Sequence, residues 1–333
     1  MSAVPESFRA LRIHEQDGGV QARFETLRLA DLSAGEVVVR VSHSGINFKD
    51  VLAATGRGRI LRRFPLVGGI DLAGTVLASD DARFRAGDAV LCFGGGLSET
   101  LDGGYSEIAR VPAALLRPMP AWLDAGSAMA LGTAGFTAAL AIDRLEHHGL
   151  APGQGPVLVT GAAGGVGSQA IDMLAGRGYD VTAVSGRPAL EEWLRALGAR
   201  ALLPRAELER PAPPLAKARW AGAIDSAGGA ILHALLAGTQ AGGAVASVGL
   251  VAGAELHTTV MPFILRGVSL LGINYFEITP AQRERVWRRL AGDLRPRHLD
   301  RIVSGVLPFD ALPGAFQAYL DGTVRGRQVV RIG

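Results

Sequence analysis

A short glycine-rich turn constrains this chain more than any other feature of its sequence. Residues 157–160 are an apolar, β-branched run that predicts a buried strand, and residues 168–176 have helical spacing. Between them stands G-A-A-G-G-V-G, residues 161–167. A strand, a glycine turn and a helix in this order point main-chain N–H groups and the positive helix end toward a pyrophosphate. A glycine loop that binds nothing is the alternative, and the second strand that follows favours the dinucleotide site.

Composition restricts the class of protein. The chain has 333 residues, of which 48% are hydrophobic and 20% charged, which is typical of a globular protein with two domains. No apolar run reaches the roughly 18 residues of a membrane span, and residues 1–10 do not resemble a signal peptide. The single cysteine, Cys92, argues against disulfides and cysteine-rich zinc sites and fits a cytoplasmic location.

The charge distribution gives little support for nucleic-acid binding. The net charge is +3, and the basic residues are dispersed. Nearly all of them are arginines, since Lys49 and Lys217 are the only lysines. This bias makes any one arginine weaker evidence of a functional role.

The order of predicted elements indicates two domains. Residues 8–111 form short, turn-punctuated strands, interrupted by a turn and helix at 45–52 and an arginine-rich segment at 56–65. Helices are predicted at 124–131 and 133–147. From the glycine turn onward strands alternate with helices, which predicts a parallel sheet covered on both faces. The remaining predictions are a proline-rich loop at 204–214, strands at 179–185, 201–203, 220–226, 243–248, 270–273 and 328–332, and helices at 189–197, 230–236, 280–290 and 312–320.

The end of the second strand predicts the cofactor. An NAD site has an acidic residue about 20 positions after the glycine turn, whereas this chain has Ser185, Gly186 and Arg187. A charge-assisted arginine–phosphate contact contributes about 1.5–3 kcal/mol, enough to favour NADPH. The alternative for Arg187 is that it is a solvated side chain that binds no cofactor. For Arg205, contact with the 2′-phosphate and a position on the surface without a ligand are equally compatible with the sequence.

Nine segments together resemble one known family. They are N-F-K-D (47–50), T-G-R-G-R-I-L-R-R-F-P (55–65), G-I-D-L-A-G-T-V (69–76), G-T-A-G-F-T-A (132–138), T-G-A-A-G-G-V-G (160–167), A-V-S-G-R (183–187), W-A-G-A-I-D (220–225), T-T-V-M-P-F-I-L-R (258–266) and G-R-Q-V-V (326–330). The chain resembles the zinc-free quinone-reductase class of the medium-chain dehydrogenase/reductase superfamily, and within it the NADPH-dependent acryloyl-CoA reductases. The resemblance implies an α/β fold with a GroES-like β-rich catalytic domain (1–127 with 271–333) and a doubly wound, parallel-sheet Rossmann domain (128–270).

The resemblance also implies the site residues. NADPH would lie in the cleft between the domains, and the residues expected to bind it are Phe48, Ala163, Gly164, Gly165, Val166, Gly167, Ser185, Gly186, Arg187, Arg205, Leu250, Ile264 and Tyr275. Asn47, Lys49 and Tyr275 are the catalytic candidates, with Asn47 stabilising an enolate oxygen or, alternatively, capping a helix. The α-proton would come from Tyr105, Tyr275 or water.

The substrate candidates are Tyr105 and the four arginines of the segment 56–65: Arg57, Arg59, Arg62 and Arg63. The resemblance implies that these arginines bind the phosphates of coenzyme A. The alternative is that they form a solvated basic loop with no ligand. No metal is expected, because Asn47 and Ile70-Asp71 stand where the zinc enzymes have a cysteine and a His-Glu pair.

The predicted reaction is NADPH-dependent reduction of the activated C=C bond of a short 2-enoyl-CoA. The rival predictions are a quinone or enone reductase and a non-catalytic NADPH-binding protein. Residues 94–102 and 274–277 differ from those of the acryloyl-CoA reductases, which indicates a different acyl group. We also expect a homodimer, joined through the sheet edge at 270–273.

Overall fold

A computed structural model describes residues 4–16 and 18–333. These residues form two compact units: unit 1 extends to Thr133 and includes Val303–Gly333, and unit 2 is Ala134–Ile302. The predicted domains instead placed residues 271–302 with the first domain. Those residues belong to unit 2 because their helix is tied to it by ion pairs, among them Arg285 Nη2 to Asp143 Oδ2 at 2.7 Å.

The helices and strands follow in chain order. The first part of the chain contains β1 (Phe8–Gln16), β2 (Gly19–Leu27), β3 (Val37–Gly45), α1 (Phe48–Thr55), β4 (Leu66–Val67), β5 (Asp71–Ser79), β6 (Ala89–Phe93), β7 (Ile108–Val111), β8 (Arg117–Pro118) and α2 (Ala125–His147). The middle contains β9 (Pro156–Val159), α3 (Gly165–Gly176), β10 (Asp180–Ser185), α4 (Glu191–Ala196), β11 (Ala201–Pro204), α5 (Arg205–Glu209), β12 (Trp220–Asp225), α6 (Gly229–Gly238), β13 (Thr239–Ser247), α7 (Met261–Arg266) and β14 (Ser269–Gly272). The last part contains α8 (Pro280–Ala291), α9 (Leu299–Ile302), β15 (Val303–Pro308), α10 (Leu312–Leu320) and β16 (Arg327–Arg331).

Unit 1 is built on two sheets. One has the order β2-β1-β4, and the other has the order β15-β16-β3-β5-β6-β8, with β7 also paired to β3. Strand β3 begins with three valines, and its Val37, Val39 and Val41 are buried in a common core with residues of β1, α1 and α10. Residues from both ends of the chain meet here, because β16 pairs antiparallel with the end of β3.

Unit 2 has a six-stranded sheet with the order β11-β10-β9-β12-β13-β14, and its strand pairs are parallel. The chain leaves β9 first toward β10 and later returns to pair β12 on the other side of β9. In a sheet of this kind ligands bind outside the carboxyl ends of the strands where the order reverses, here between β9 and β12. The predicted doubly wound fold is confirmed.

Helix α2 combines the two helices predicted at 124–131 and 133–147. Gly132 has φ 52° and ψ −168° and interrupts the helix at the predicted point. The helix is long and apolar enough to cross a membrane, but 83% of its apolar window is buried, as in the core helix of a globular protein. Six short elements were not predicted: β4, β8, α5, α7, α9 and β15. Helix α5 begins inside the predicted proline-rich loop, where Leu208 is buried and Arg205 pairs with Glu209.

Candidate active site

The turn between β3 and α1 brings together the first group of candidate residues. Asn47 precedes α1 with extended backbone angles (φ −110°, ψ 153°), and its main-chain N–H donates to Asp50 Oδ2 at 2.8 Å. The carboxylate of Asp50 therefore caps the first turn of its own helix. Asn47 is only 8% exposed, so its side chain is presented mainly to the protein interior.

The amide group of Asn47 is committed to internal hydrogen bonds. Its Nδ2 donates to Asp71 Oδ2 at 2.9 Å and to Asp50 Oδ2 at 3.2 Å, and its Oδ1 accepts from Arg327 Nη1 at 3.0 Å. An asparagine amide has two N–H donors, and both are used. Asn47 therefore has no spare donor for an enolate oxygen. Its side chain holds the turn through Asp50, Asp71 and Arg327, and no side-chain capping bond to the helix is formed.

Arg327 is the cation at the centre of this buried cluster. It is 2% exposed, and it donates from Nη1 to Ile46 O at 2.7 Å, from Nη2 to Met129 O at 3.1 Å and from Nε to Ala130 O at 3.2 Å. Its Nη2 lies 3.9 Å from Asp71 Oδ2. One guanidinium thus joins the turn before α1 to the first half of α2, since its five donors suit several acceptors at once.

Burial changes the acidity of Asp50. The removal of its carboxyl group from water, followed by the negative charge of Asp71, raises the pKa of Asp50 to about 7. Its bonds from Asn47 and from Ile70 N, at 2.8 Å, act in the opposite direction by stabilising the ionised form. The cluster therefore contains a group that changes charge near neutral pH.

Lys49 contacts a residue that sequence reasoning had not assigned to the site. Its ammonium group donates to Glu99 Oε1, and the two side chains are 33% and 22% exposed. An ammonium group has three N–H donors, so two remain after this contact. Phe48, the first residue of α1, is 36% exposed.

The arginine loop, residues 56–65, contains arginines with two different environments. Arg57, Arg59 and Arg62 are exposed. Arg63 is exposed as well, but its guanidinium donates from Nε to Thr100 O at 3.0 Å and from Nη2 to Ser33 Oγ at 2.7 Å. Arg63 therefore connects neighbouring segments of unit 1, and the substrate role predicted for it stays a prediction.

Tyr105, the remaining substrate candidate, is buried in unit 1. It is 1% exposed, and its hydroxyl donates to Gly45 O at 3.1 Å. Its ring packs so closely on Gly69 that a Cβ there would lie 2.7 Å from Tyr105 Cδ1. Burial raises the pKa of Tyr105 well above its ordinary value. The hydroxyl of Tyr105 is therefore held inside unit 1, and the substrate and proton-donor roles expected of it stay predictions.

The glycine turn of unit 2 fits a dinucleotide diphosphate. Gly161 has φ 57°, and a Cβ on Gly167 would lie 2.3 Å from Gly161 O, so no larger residue fits there. Gly164 precedes α3 and supplies no capping side chain. The first N–H groups of α3 therefore have no acceptor within the helix and are available to an anion. Ala163 lies in the glycine turn, and Val166 is the second residue of α3.

The tip of β10 brings two arginines close to one glycine. The Arg187 N–H donates to Ser185 Oγ at 3.1 Å, and its guanidinium makes a long 3.5 Å contact to Ala163 O. A Cβ on Gly186 would lie 3.4 Å from Arg205 Cζ, so that guanidinium lies over the glycine. Burial lowers the pKa of Arg187, which indicates a partly desolvated cation that an anion would stabilise. The predicted NADPH residues are thus adjacent.

Three further cofactor candidates lie beyond the strands of unit 2. Leu250 follows β13 and is 61% exposed, and Ile264 in α7 is 71% exposed. Tyr275 follows β14, and its carbonyl accepts from Arg283 Nη2 at 3.1 Å. The cofactor and catalytic roles predicted for these residues stay predictions.

Several members of the buried cluster were missed in the sequence. The members in question are far apart along the chain: Asp50, Asp71, Thr133 and Arg327. Because arginine is abundant in this sequence, nothing singled out Arg327 as the buried cation of the cluster. Within residues 4–16 and 18–333, no three His, Cys, Asp or Glu side chains are grouped as metal ligands would be.

Comparison with known proteins gives the family. Residues 33–121 match the alcohol dehydrogenase GroES-like domain, and residues 165–292 match the family described as zinc-binding dehydrogenase. The chain is 48% identical to the acrylyl-CoA reductase AcuI of Ruegeria pomeroyi over 96% of both chains. It belongs to the zinc-free quinone-reductase class of the medium-chain dehydrogenase/reductase superfamily.

Other members of this superfamily are nearly as similar. YhfP of Bacillus subtilis, named provisionally as a quinone oxidoreductase, is 44% identical over 98% of this chain and 99% of its own. The crystal structure of Escherichia coli K-12 YhdH with bound NADPH has a TM-score of 0.94 at 44% identity, covering 97% of this chain and all of that one. The structure of Bacillus subtilis YhfP with NAD bound gives 0.94 at 43%, covering 98% and 100%. The predicted fold, family and oxidoreductase class are confirmed.

Proposed function

We propose that this oxidoreductase reduces the α,β double bond of a short 2-enoyl-CoA. Bound NADPH supplies the hydride, which is added to the β-carbon of the thioester. Negative charge then develops on the thioester oxygen, and a proton reaches the α-carbon. The similarity to an acrylyl-CoA reductase along almost the whole chain is the observation that supports this reaction most strongly.

The cofactor is NADPH. The exposed N–H groups at the start of α3 suit its diphosphate. Arg187, next to Gly186 in the chain, and Arg205, whose guanidinium lies close to Gly186, suit the 2′-phosphate, because guanidinium groups match phosphate geometry. Because one relative, Bacillus subtilis YhfP, was crystallised with NAD, the preference of this chain for NADPH over NADH should be measured.

Lys49 is our choice for the group that stabilises the developing oxyanion. Asn47 was the first candidate, but both of its amide hydrogens are bound to carboxylates. Lys49 retains two donors after its contact with Glu99 and is a third exposed. A positioned donor of this kind is among the larger contributions to catalysis of such reactions. We propose that Asn47 holds the turn that presents Lys49.

Arg57, Arg59 and Arg62 are proposed to bind the phosphates of coenzyme A. All three are exposed on one short loop. The loop itself is anchored, because Leu61 is 4% exposed and Arg62 N donates to Glu99 O at 2.8 Å. Guanidinium groups on an anchored loop are suited to phosphates at little cost in ordering.

The second candidate is reduction of quinones or of free enones. It is favoured by the similarity to YhfP, whose provisional name states that activity. In this alternative the fold and cofactor are unchanged, and the arginine loop has no role in recognition.

Turnover of matched substrates separates the two candidates. NADPH oxidation is measured with crotonyl-CoA, with crotonyl-pantetheine, which lacks the nucleotide phosphates, and with a small enone and a quinone. We expect kcat/KM at least tenfold higher for crotonyl-CoA than for the pantetheine ester. Replacement of Arg57, Arg59 and Arg62 by serine should remove that difference, whereas Arg331→Ser, an exposed control, should not. Equal rates with both esters in the unchanged protein would favour the second candidate.

We also propose that the chain forms a homodimer through β14 and that it is cytoplasmic. β14 is the last strand of its sheet, with Leu270 37% exposed. The neighbouring Val260 and Leu265 are 64% and 61% exposed, so a second copy would cover apolar surface as well as the strand edge.

A further inference from the structure

Glu99 joins two parts of unit 1 that the proposed function uses separately. Its main-chain carbonyl accepts from Arg62 N at 2.8 Å, in the arginine loop, and its carboxylate accepts from the ammonium group of Lys49. We propose that Glu99 is a positioning residue that fixes Lys49 relative to the arginine loop. This inference rests on the proposed function, in which Lys49 meets the thioester oxygen and the loop meets the phosphates.

The segment that carries Glu99, residues 94–102, is held on both sides of it. Before Glu99, the Gly94 N–H donates to Ile70 O at 2.7 Å. Arg63 Nε donates to Thr100 O at 3.0 Å. Asp102, at the end of the segment, accepts from Val67 N at 2.8 Å and from Ser33 N at 2.7 Å. The backbone from which the Glu99 side chain extends is therefore fixed within unit 1.

Lys49 needs such a partner because its ammonium group stands at the end of a flexible four-carbon chain. A donor that is already oriented stabilises developing charge without being ordered during the reaction. Glu99 uses one N–H of Lys49 and leaves two for a ligand. The carboxylate is 22% exposed, so water competes with the contact only in part.

The contact between Glu99 and Lys49 also links binding of the CoA phosphates to stabilisation of the thioester oxygen. The arginine loop and Lys49 are connected through a single residue, one by its backbone and the other by its side chain. A change of the side chain alone leaves the Arg62 contact in place and releases only Lys49. Substitution of Glu99 should therefore lower kcat more than it raises KM for the CoA ester.

A double-mutant cycle with the full chain tests the proposal. Glu99→Gln, Lys49→Met and the double variant are assayed with NADPH and crotonyl-CoA. We expect each single variant to lower kcat on the order of 10- to 100-fold, as small misplacements of catalytic groups do. The double variant should be no slower than Lys49→Met, because Glu99 acts through Lys49. NADPH affinity and melting temperature should remain those of the unchanged protein.

Glu107→Gln is the matched control, since Glu107 is also a partly buried glutamate of unit 1 and accepts from Arg9 N at 2.8 Å. It should keep full activity. Losses that add in the double variant, or a Glu99→Gln variant as active as the control, would overturn the role of Glu99 while leaving the proposed function intact. A protein that binds NADPH but reduces no enoyl-CoA would overturn both.

Discussion

Asp71 and Thr133 are joined by two hydrogen bonds: the Thr133 N–H donates to Asp71 Oδ2 at 2.9 Å, and its hydroxyl donates to Oδ1 at 2.6 Å. Gly132, immediately before, breaks α2 and has no room for a side chain, because a Cβ there would lie 2.7 Å from Arg327 Nη2. The start of β5 is thus fixed to the interrupted helix by a carboxylate that also binds Asn47.

Thr133→Val should lower the free energy of unfolding by about 1–3 kcal/mol, because it leaves one oxygen of a buried carboxylate without its donor. Urea denaturation of the variant measures this difference. Thr75→Val, at an exposed position in β5, is the control and should change stability by less than about 0.5 kcal/mol. Equal effects of the two substitutions would contradict the importance of the Asp71 contact.

Asp50 should make stability depend on pH below neutrality. Its pKa rises from 3.8 to about 7 in the folded protein, so the folded state binds more protons than the unfolded chain between these values. The stability of the protein relative to Asp50→Asn should therefore fall as pH rises from 4 to 7 and be constant above it, with a slope of up to about 1.4 kcal/mol per pH unit. Denaturation of both proteins at four pH values measures it. A difference that does not change with pH would show that Asp50 is ionised throughout.

Arg187→Ala should weaken NADPH binding about 10- to 100-fold, which corresponds to the loss of a contact of about 1.5–3 kcal/mol. NADH lacks the 2′-phosphate, so its affinity should not change. Calorimetry with both nucleotides separates the two effects, and Arg210→Ala, an exposed arginine of the same unit, is the control. A parallel loss for NADH would mean that Arg187 supports the glycine turn instead, through its contact with Ala163 O.

Gly167→Ala should abolish NADPH binding, because the added methyl group would lie 2.3 Å from Gly161 O and displace the turn. Gly314→Ala is the opposite case, since that glycine lies in α10 with open space around it. It should leave binding unchanged and raise stability by about 0.5–1 kcal/mol. Nucleotide titration and thermal unfolding of both variants give the comparison. Binding by the Gly167 variant would mean that the turn can move aside.

Leu270→Arg should convert the proposed dimer into single chains of 34.6 kDa, because a charge at the edge of β14 opposes pairing with a second strand. Light scattering after size-exclusion chromatography measures the mass. Val306→Arg, at a 57% exposed position in unit 1, should leave the dimer intact. A mass of one chain for the unchanged protein would contradict the homodimer.

Local sequence patterns predicted much of this fold, but they could not predict contacts between residues that are far apart in the sequence. The glycine turn and the break of α2 at Gly132 depend on neighbouring residues, so the sequence reveals them. The contact of Arg327 with Ile46 O joins residues 281 positions apart, and no periodicity signals it. The short helix α5 was hidden by the prolines around it. For the candidate site, the sequence placed the cofactor residues beside one another, but it could not show which donors of Asn47, Arg63 and Tyr105 were already in use.

The pairing of β16 with β3 has a consequence for the newborn chain on the ribosome. Domains usually fold as they emerge, the N-terminal one first, but here the guanidinium that neutralises the cluster around Asn47 arrives 280 residues after it. Unit 2 is contiguous and can complete its sheet earlier, so the second half of this polypeptide should mature before the first. Until Arg327 has left the ribosome, the carboxyl groups of Asp50 and Asp71 in unit 1 have no guanidinium partner.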